Sequence, residues 1–63
     1  MIQDEQTLRR TTAKNIAAYR KAHKDTQLDL ARKLNYSDKS VSKWERGEGL
    51  PDVYILAQIA QLY

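Results

Sequence analysis

One short segment of this sequence, residues 37–43, consists mostly of side chains that form hydrogen bonds. The members that could contact a partner are Ser37, Asp38, Lys39, Ser42 and Lys43. Lysine donates hydrogen bonds, ionised aspartate accepts them and serine does both, but the segment contains neither a histidine nor a cysteine for nucleophilic catalysis. The chemistry that this segment offers is therefore recognition of a polar surface rather than a covalent reaction.

Residues suited to catalysis or to metal binding are scarce in this sequence. His23 is the only histidine, there is no cysteine, and no glycine-rich phosphate loop or metal-ligand spacing occurs. A hydrolytic triad would depend on His23, and no serine and carboxylate pattern converges on it. We therefore expect no catalytic residue, no metal and no cofactor, and we predict that the protein is not an enzyme.

Length and charge favour a small binding domain. The chain has 63 residues and a formal net charge of +3, from 11 Lys plus Arg and 8 Asp plus Glu. A domain of this size buries only about 60% of the surface of its unfolded chain, which leaves little room for an enclosed substrate cavity. The mild positive charge permits a polyanionic partner. Because cysteine is absent and no segment approaches the ~20 apolar residues of a membrane span, we expect a cytoplasmic location without membrane contact in this segment.

The elements that must position the polar segment are predicted to be helices. Apolar residues recur at three- and four-residue steps, and the β-branched residues do not alternate with polar ones. We predict an all-α fold with four helices, at about residues 7–23, 27–34, 38–46 and from residue 53 onward. Thr26, Ser37 and Asp52 are predicted N-caps, and Asn35 is predicted to end the second helix in the left-handed conformation.

The predicted fourth helix is apolar on nearly all sides. The residues expected to share one core-facing stripe are Val53, Leu56, Ile59, Ala60 and Tyr63. Because a helix that is apolar all round is normally covered all round, we expect a further segment beyond Tyr63 to cover Ile55 and Leu62. Residues 1–63 are accordingly predicted to form a single domain at the N-terminal end of a longer protein.

Two short helices joined by a tight turn, at about residues 27–46, form the arrangement of a helix-turn-helix unit. Ala31 falls where the two helices cross, Asn35 where the chain reverses and Val41 where the second helix meets the first. In this motif the N-terminal half of the second helix enters the major groove of DNA, and the first helix lies across the DNA backbone. The arrangement therefore predicts a DNA-binding surface.

The polar segment of residues 37–43 supplies the candidates for reading bases in such a groove. Lys39 and Lys43 can donate to guanine, and Ser37 and Ser42 can approach either base pair. Asp38 has two interpretations of similar weight, since it could accept from cytosine or could simply favour the positive end of the helix.

Contacts to the DNA backbone are predicted at the two ends of the unit. The amide of Gln27 and the free N–H groups of that first turn can donate to a phosphate, and Arg46 can meet a phosphate at the other end. Thr26 and Ser40 are weaker candidates for the same role, because a capping and a helix-surface role explain them as well.

The same residues resemble a known family. Residues 27–34 (QLDLARKL), residues 41–47 (VSKWERG), Ser37 and Pro51 are similar to the Xre/Cro-type helix-turn-helix family of bacterial and phage transcriptional regulators, with the lambda-repressor-like fold. The resemblance covers about residues 8–63. The sequence departs from the family pattern at Asp25, where an apolar residue is usual, and at Asn35, where the turn residue is usually glycine.

What the resemblance implies is a domain that binds operator DNA as a homodimer, with a fifth helix outside this chain. It also implies a structural ion pair between Arg20 and Glu45. We therefore expect the DNA-binding domain of a transcriptional regulator, a repressor rather than an activator. The alternatives are an antitoxin-type autoregulator and a protein-interaction module. Binding through the apolar fourth helix would depend on Tyr54, Ile55 and Leu62, whereas DNA binding would depend on the two lysines of segment 37–43.

Overall fold

The structure, a computed structural model, describes residues 4–63 and is all-helical over that range. Four helices follow one another: α1 (Glu5–Ala22), α2 (Gln27–Leu34), α3 (Asp38–Glu45) and α4 (Val53–Leu62). The predicted all-α fold with four helices is confirmed. Helix α1 begins earlier than predicted because the side chain of Asp4 caps it, accepting from the backbone N–H of Thr7 at 2.7 Å.

Side-chain caps fix the first turn of each of the other helices. Thr26 accepts from the backbone N–H of Asp29 at 3.0 Å, and Asp29 in turn accepts from the backbone N–H of Thr26 at 2.8 Å, which forms a capping box. Ser37 caps α3 and Asp52 caps α4. The three N-caps predicted from the sequence are confirmed.

The turn between α2 and α3 depends on Asn35. Its φ angle is 62°, in the left-handed region that asparagine tolerates better than most residues. Its backbone N–H and that of Tyr36 donate back to carbonyls of α2, to Arg32 at 3.3 Å and to Ala31 at 2.9 Å respectively. The predicted end of α2 at Asn35 is therefore confirmed, and α3 can begin three residues later, at Asp38.

A single apolar core holds the four helices together. Its members are Ile16, Leu30, Ala31, Leu34, Val41, Trp44, Ile55 and Ile59. The ring of Tyr36 covers Trp44 from the α2–α3 turn, with the ring centroids 5.5 Å apart. Helix α3 packs against both α1 and α2, using Val41 and Trp44 as its buried residues. The orientation of α3 is thus fixed by two apolar side chains, which leaves its polar side outward.

The predicted core-facing stripe of α4 is correct at Ile59 and Tyr63, which contact the core. It is wrong at its other members, which are exposed: Val53, Leu56 and Ala60. Ile55 and Ile59 are the buried residues of this helix, with 3% and 5% of their surface exposed, whereas Val53 is 82% exposed. Ile55 and Ile59 are one turn apart and lie on one face, while Val53 lies about 200° around the helix from Ile55. Ile55 is therefore covered by the core itself and needs no further segment, although Leu62 remains 39% exposed.

Candidate nucleic-acid interface

The outward side of α3 meets the first turn of α2 in a shallow groove. This groove has a volume of about 340 Å³ and is lined by Gln27, Asp38, Lys39, Ser42 and Arg46. The structure therefore brings together three of the base-reading candidates and two of the backbone candidates. Lys39 and Asp38 are exposed, and Ser42 is half-buried at the base of the same face.

Other predicted site residues lie beside this groove and do not line it. The hydroxyls of Ser37 and Ser40 are 3.1 Å apart, and Ser37 also accepts from the backbone N–H of Ser40. Thr26 is occupied as the cap of α2. The stem of Lys43 runs along Gly49, so closely that a side-chain Cβ at residue 49 would lie 3.4 Å from Lys43 Cε. Lys43 thus lies toward the loop that follows α3.

Gln27 is held in place by a carboxylate from the end of α3. Its Nε2 donates to Glu45 Oε1 at 3.0 Å. Glu45 also accepts from Arg20 of α1, from Nε to Oε2 at 2.7 Å and from Nη2 to Oε1 at 2.9 Å. The side chains of Arg20 and Glu45 are only 11% and 7% exposed. This ion pair between α1 and α3 therefore also orients the amide at the start of α2.

The same contacts set the charge state of Glu45. Burial favours its neutral form, but the hydrogen bonds from Arg20 and Gln27 outweigh this effect and lower the pKa of Glu45 below its usual range. The hydrogen bonds to Glu45 likewise raise the pKa of Arg20. The pair therefore stays charged at neutral pH.

Arg46 is occupied by two acceptors at the opposite end of the groove. Its Nε donates to Glu48 Oε2 at 2.7 Å, its Nη2 lies 3.4 Å from Glu48 Oε1, and its Nη1 donates to the hydroxyl of Ser42. The hydrogen bond from Arg46 lowers the pKa of Glu48, and the same bond raises the pKa of Arg46. Both side chains are about half exposed, so solvent reaches this pair.

The contacts of Gln27 with Glu45 and of Arg46 with Glu48 were not found by sequence reasoning. Glu48 follows Arg46 by only two residues, and this spacing of opposite charges across a helix end is the one signal that could have indicated their pairing. The contact between Gln27 and Glu45 joins residues 18 positions apart and had no local signal.

Asp25, one of the departures from the family pattern, has a polar environment of its own. Its Oδ2 accepts from Lys33 Nζ at 2.6 Å and from the hydroxyl of Tyr63 at 2.8 Å. These hydrogen bonds lower the pKa of Asp25. The α1–α2 turn is thus connected to the end of α4 through the carboxylate of Asp25.

Among residues 4–63, no cluster of side chains has the composition of a metal site. In the same range, no helix has the length and apolar character to cross a membrane.

The comparison with protein families agrees with this geometry. A family model described as helix-turn-helix matches residues 16–63, which include all of α2, α3 and α4. Searches of the curated proteins and of the solved structures found no match. The matched range covers more than half of the chain. It includes α3, whose polar side faces outward beside the first turn of α2. The chain therefore belongs to the helix-turn-helix family of DNA-binding regulators, of the Xre and lambda-repressor type.

Proposed function

We propose that the protein binds operator DNA through the outward face of α3 and acts as a transcriptional repressor. The observation that carries this proposal is the groove between α3 and the first turn of α2. Its lining combines donors and acceptors on an exposed helix with a side chain placed at a helix N-terminus. A helix-turn-helix protein uses these same two elements for the major groove and for the DNA backbone.

Base reading is proposed for the residues on the outward face and at the start of α3. Lys39 and Lys43 are one helical turn apart and both exposed, so they can donate to guanine acceptors. Asp38, Ser42 and Ser37 complete the proposed set. The side chain of Lys43 lies along Gly49. Lys43 is therefore proposed to contact DNA beside the groove, next to the loop that follows α3.

Contacts to phosphates are proposed at the two ends of the groove. Gln27 supplies its side-chain amide together with free N–H groups of the first turn of α2. Arg46 supplies a guanidinium that matches a phosphate in geometry and charge. Thr26 and Ser40 are proposed to add weaker contacts through their hydroxyls, beside the caps that they form or support.

The DNA-bound protein is proposed to be a homodimer, because paired half-sites are the usual target of this motif. Operator binding also implies a cytoplasmic location. The exposed side of α4 carries no charged residue, so it is the surface on which we propose that pairing occurs.

The test is selection of bound sequences from a random DNA pool, followed by fluorescence anisotropy titration of the selected duplex at two salt concentrations. If four to six phosphates are contacted, log affinity should fall with log salt at a slope of about −3.6 to −5.4. Replacing both lysines (Lys39→Ala with Lys43→Ala) should remove the preference for the selected sequence.

A matched control replaces two exposed positive residues of α1, again one turn apart (Arg10→Ala with Lys14→Ala). It changes the net charge equally and should retain the sequence preference. If no sequence is enriched, or if the two double variants behave alike, base reading through α3 is contradicted.

A second candidate is a protein-interaction module, alone or combined with DNA binding as in an antitoxin that represses its own operon. It is favoured by the exposed apolar side chains at the start of α4, since Val53 is 82% and Tyr54 69% exposed. Ile55, which was expected to contribute, is buried. Substitutions at Val53 and Tyr54 should weaken such an interaction and leave the DNA affinity of a single domain unchanged.

A further inference from the structure

We propose that Glu48 is an intramolecular substitute for a DNA phosphate and that it lowers the affinity of the interface for DNA of any sequence. The inference rests on the proposed function, because it concerns Arg46 at the end of the proposed groove. It assigns a role to an acidic residue that lies outside the groove and is not a DNA contact.

The geometry of the pair is that of a guanidinium facing an oxyanion. Arg46 directs Nε and Nη2 toward the two carboxylate oxygens of Glu48, at 2.7 and 3.4 Å. Carboxylates and phosphates are recognised by arginine through the same planar, two-point arrangement. A phosphate that approached Arg46 on its Nε and Nη2 side would need the donors that Glu48 now holds.

The surroundings keep Glu48 close to Arg46 without burying the pair. The backbone N–H of Glu48 donates to the carbonyl of Lys43 at 3.1 Å, which fixes the residue against the last turn of α3. The Arg46 side chain is 54% exposed and the Glu48 side chain 55%. Because both ends of the pair are open to solvent, an incoming phosphate can displace the carboxylate.

The displacement costs affinity in two ways. The ion pair must be broken, and the released carboxylate remains near the phosphate as a like charge. Exposed pairs of this kind change an equilibrium constant by up to about fivefold. Since the exchange involves only the DNA backbone, the cost is the same for the operator and for unrelated DNA.

The decisive variant is Glu48→Gln, measured by anisotropy titration with the selected operator and with a random duplex of equal length. We expect binding up to about fivefold tighter than that of the wild type at low salt, for both duplexes. The salt slope should become steeper by up to about 1, because the wild type exchanges one ion pair for another at this position.

The control for net charge is Glu5→Gln, which removes the acidic partner of another exposed ion pair, that with Arg9 in α1. It should tighten binding by less than about twofold. A second control places Glu48→Gln in the background of Arg46→Gln, where the gain should disappear. Thermal unfolding of each variant checks that the fold is retained.

Three results would overturn the inference. The gain in DNA affinity of Glu48→Gln could equal that of Glu5→Gln, or it could persist in the Arg46→Gln background. It could also be confined to the operator duplex, which would make Glu48 a determinant of base preference. If the wild type binds no duplex at all, the proposed function fails and the inference fails with it. This result is distinguishable from the other three, in all of which the wild type binds DNA.

Discussion

Arg20 and Glu45 join α1 to the end of α3 through two hydrogen bonds, at 2.7 and 2.9 Å. The remaining donor of this guanidinium, Nη1, reaches the backbone carbonyl of Asp25 at 2.8 Å, so one side chain connects α1, the α1–α2 turn and α3. Both members of the pair are largely buried, and neither can lose its partner without leaving a charge in a poorly solvated place.

Glu45→Gln should therefore be strongly destabilising. Removing one partner of a buried ion pair costs about 3–5 kcal/mol, because the other charge is left uncompensated. The measurement is the free energy of unfolding in urea, followed by circular dichroism. Glu5→Gln, which breaks an exposed pair, is the control and should change that free energy by about 0.5 kcal/mol or less. Equal effects of the two substitutions would contradict the assigned role of the buried pair.

Stability should fall with acidification below about pH 4.5. The pKa of Glu45 is lowered in the folded state, so its contribution is complete above its unfolded pKa of about 4.3 and is lost as the pH drops through the lower folded value. Asp25 and Asp29 also have lowered pKa values and act in the same direction. Unfolding free energies measured in urea between pH 7 and pH 3 test this. A rise in the free energy of unfolding on acidification would contradict this prediction. The Glu45→Gln variant lacks this carboxylate and should lose less stability over the same pH range.

Asn35→Ala should destabilise the protein by about 1–2 kcal/mol, because alanine pays a steric cost at a φ of 62°. Asn35→Gly should be neutral or slightly stabilising, since glycine adopts this conformation freely. Thermal denaturation of the two variants gives the comparison. Asn15→Ala makes the same side-chain change inside α1 and should not destabilise. If alanine were tolerated at residue 35 as well as glycine, the left-handed turn would be in doubt.

Trp44→Ala should unfold the domain. Trp44 is 7% exposed and is one of the two buried residues of α3, and truncating a buried tryptophan costs about 3–5 kcal/mol. For a domain of this size that is a large part of the total stability. Circular dichroism melting checks the result, with Tyr54→Ala as an exposed aromatic control. An unchanged melting curve in Trp44→Ala would contradict the core described above.

The features that could be predicted from the sequence are those with local causes. Thr26, Ser37 and Asp52 cap helices through contacts within three residues, and Asn35 adopts its conformation through its own backbone preference. The grouping of Asp38, Lys39 and Ser42 on one side of α3 likewise follows from helical spacing, once Val41 and Trp44 define the buried side.

The features that could not be predicted depend on how separate elements meet. Helix α4 is apolar on most sides, so its periodicity does not decide between Val53 and Ile55 as the buried residue, and packing against α2 makes that choice. The hydrogen-bond partner of Gln27 likewise depends on the position of Glu45, which α1 and α3 determine together.

The hydrogen bond from Gln27 to Glu45 has a consequence for the entropy of DNA binding. Fixing a glutamine side chain costs up to about 2 kcal/mol in lost rotamer freedom. In this protein the amide is already restrained by a carboxylate that Arg20 holds in turn, so this loss occurs when the chain folds. A phosphate contact by Gln27 would then require little additional ordering, as expected for a preorganised binding surface.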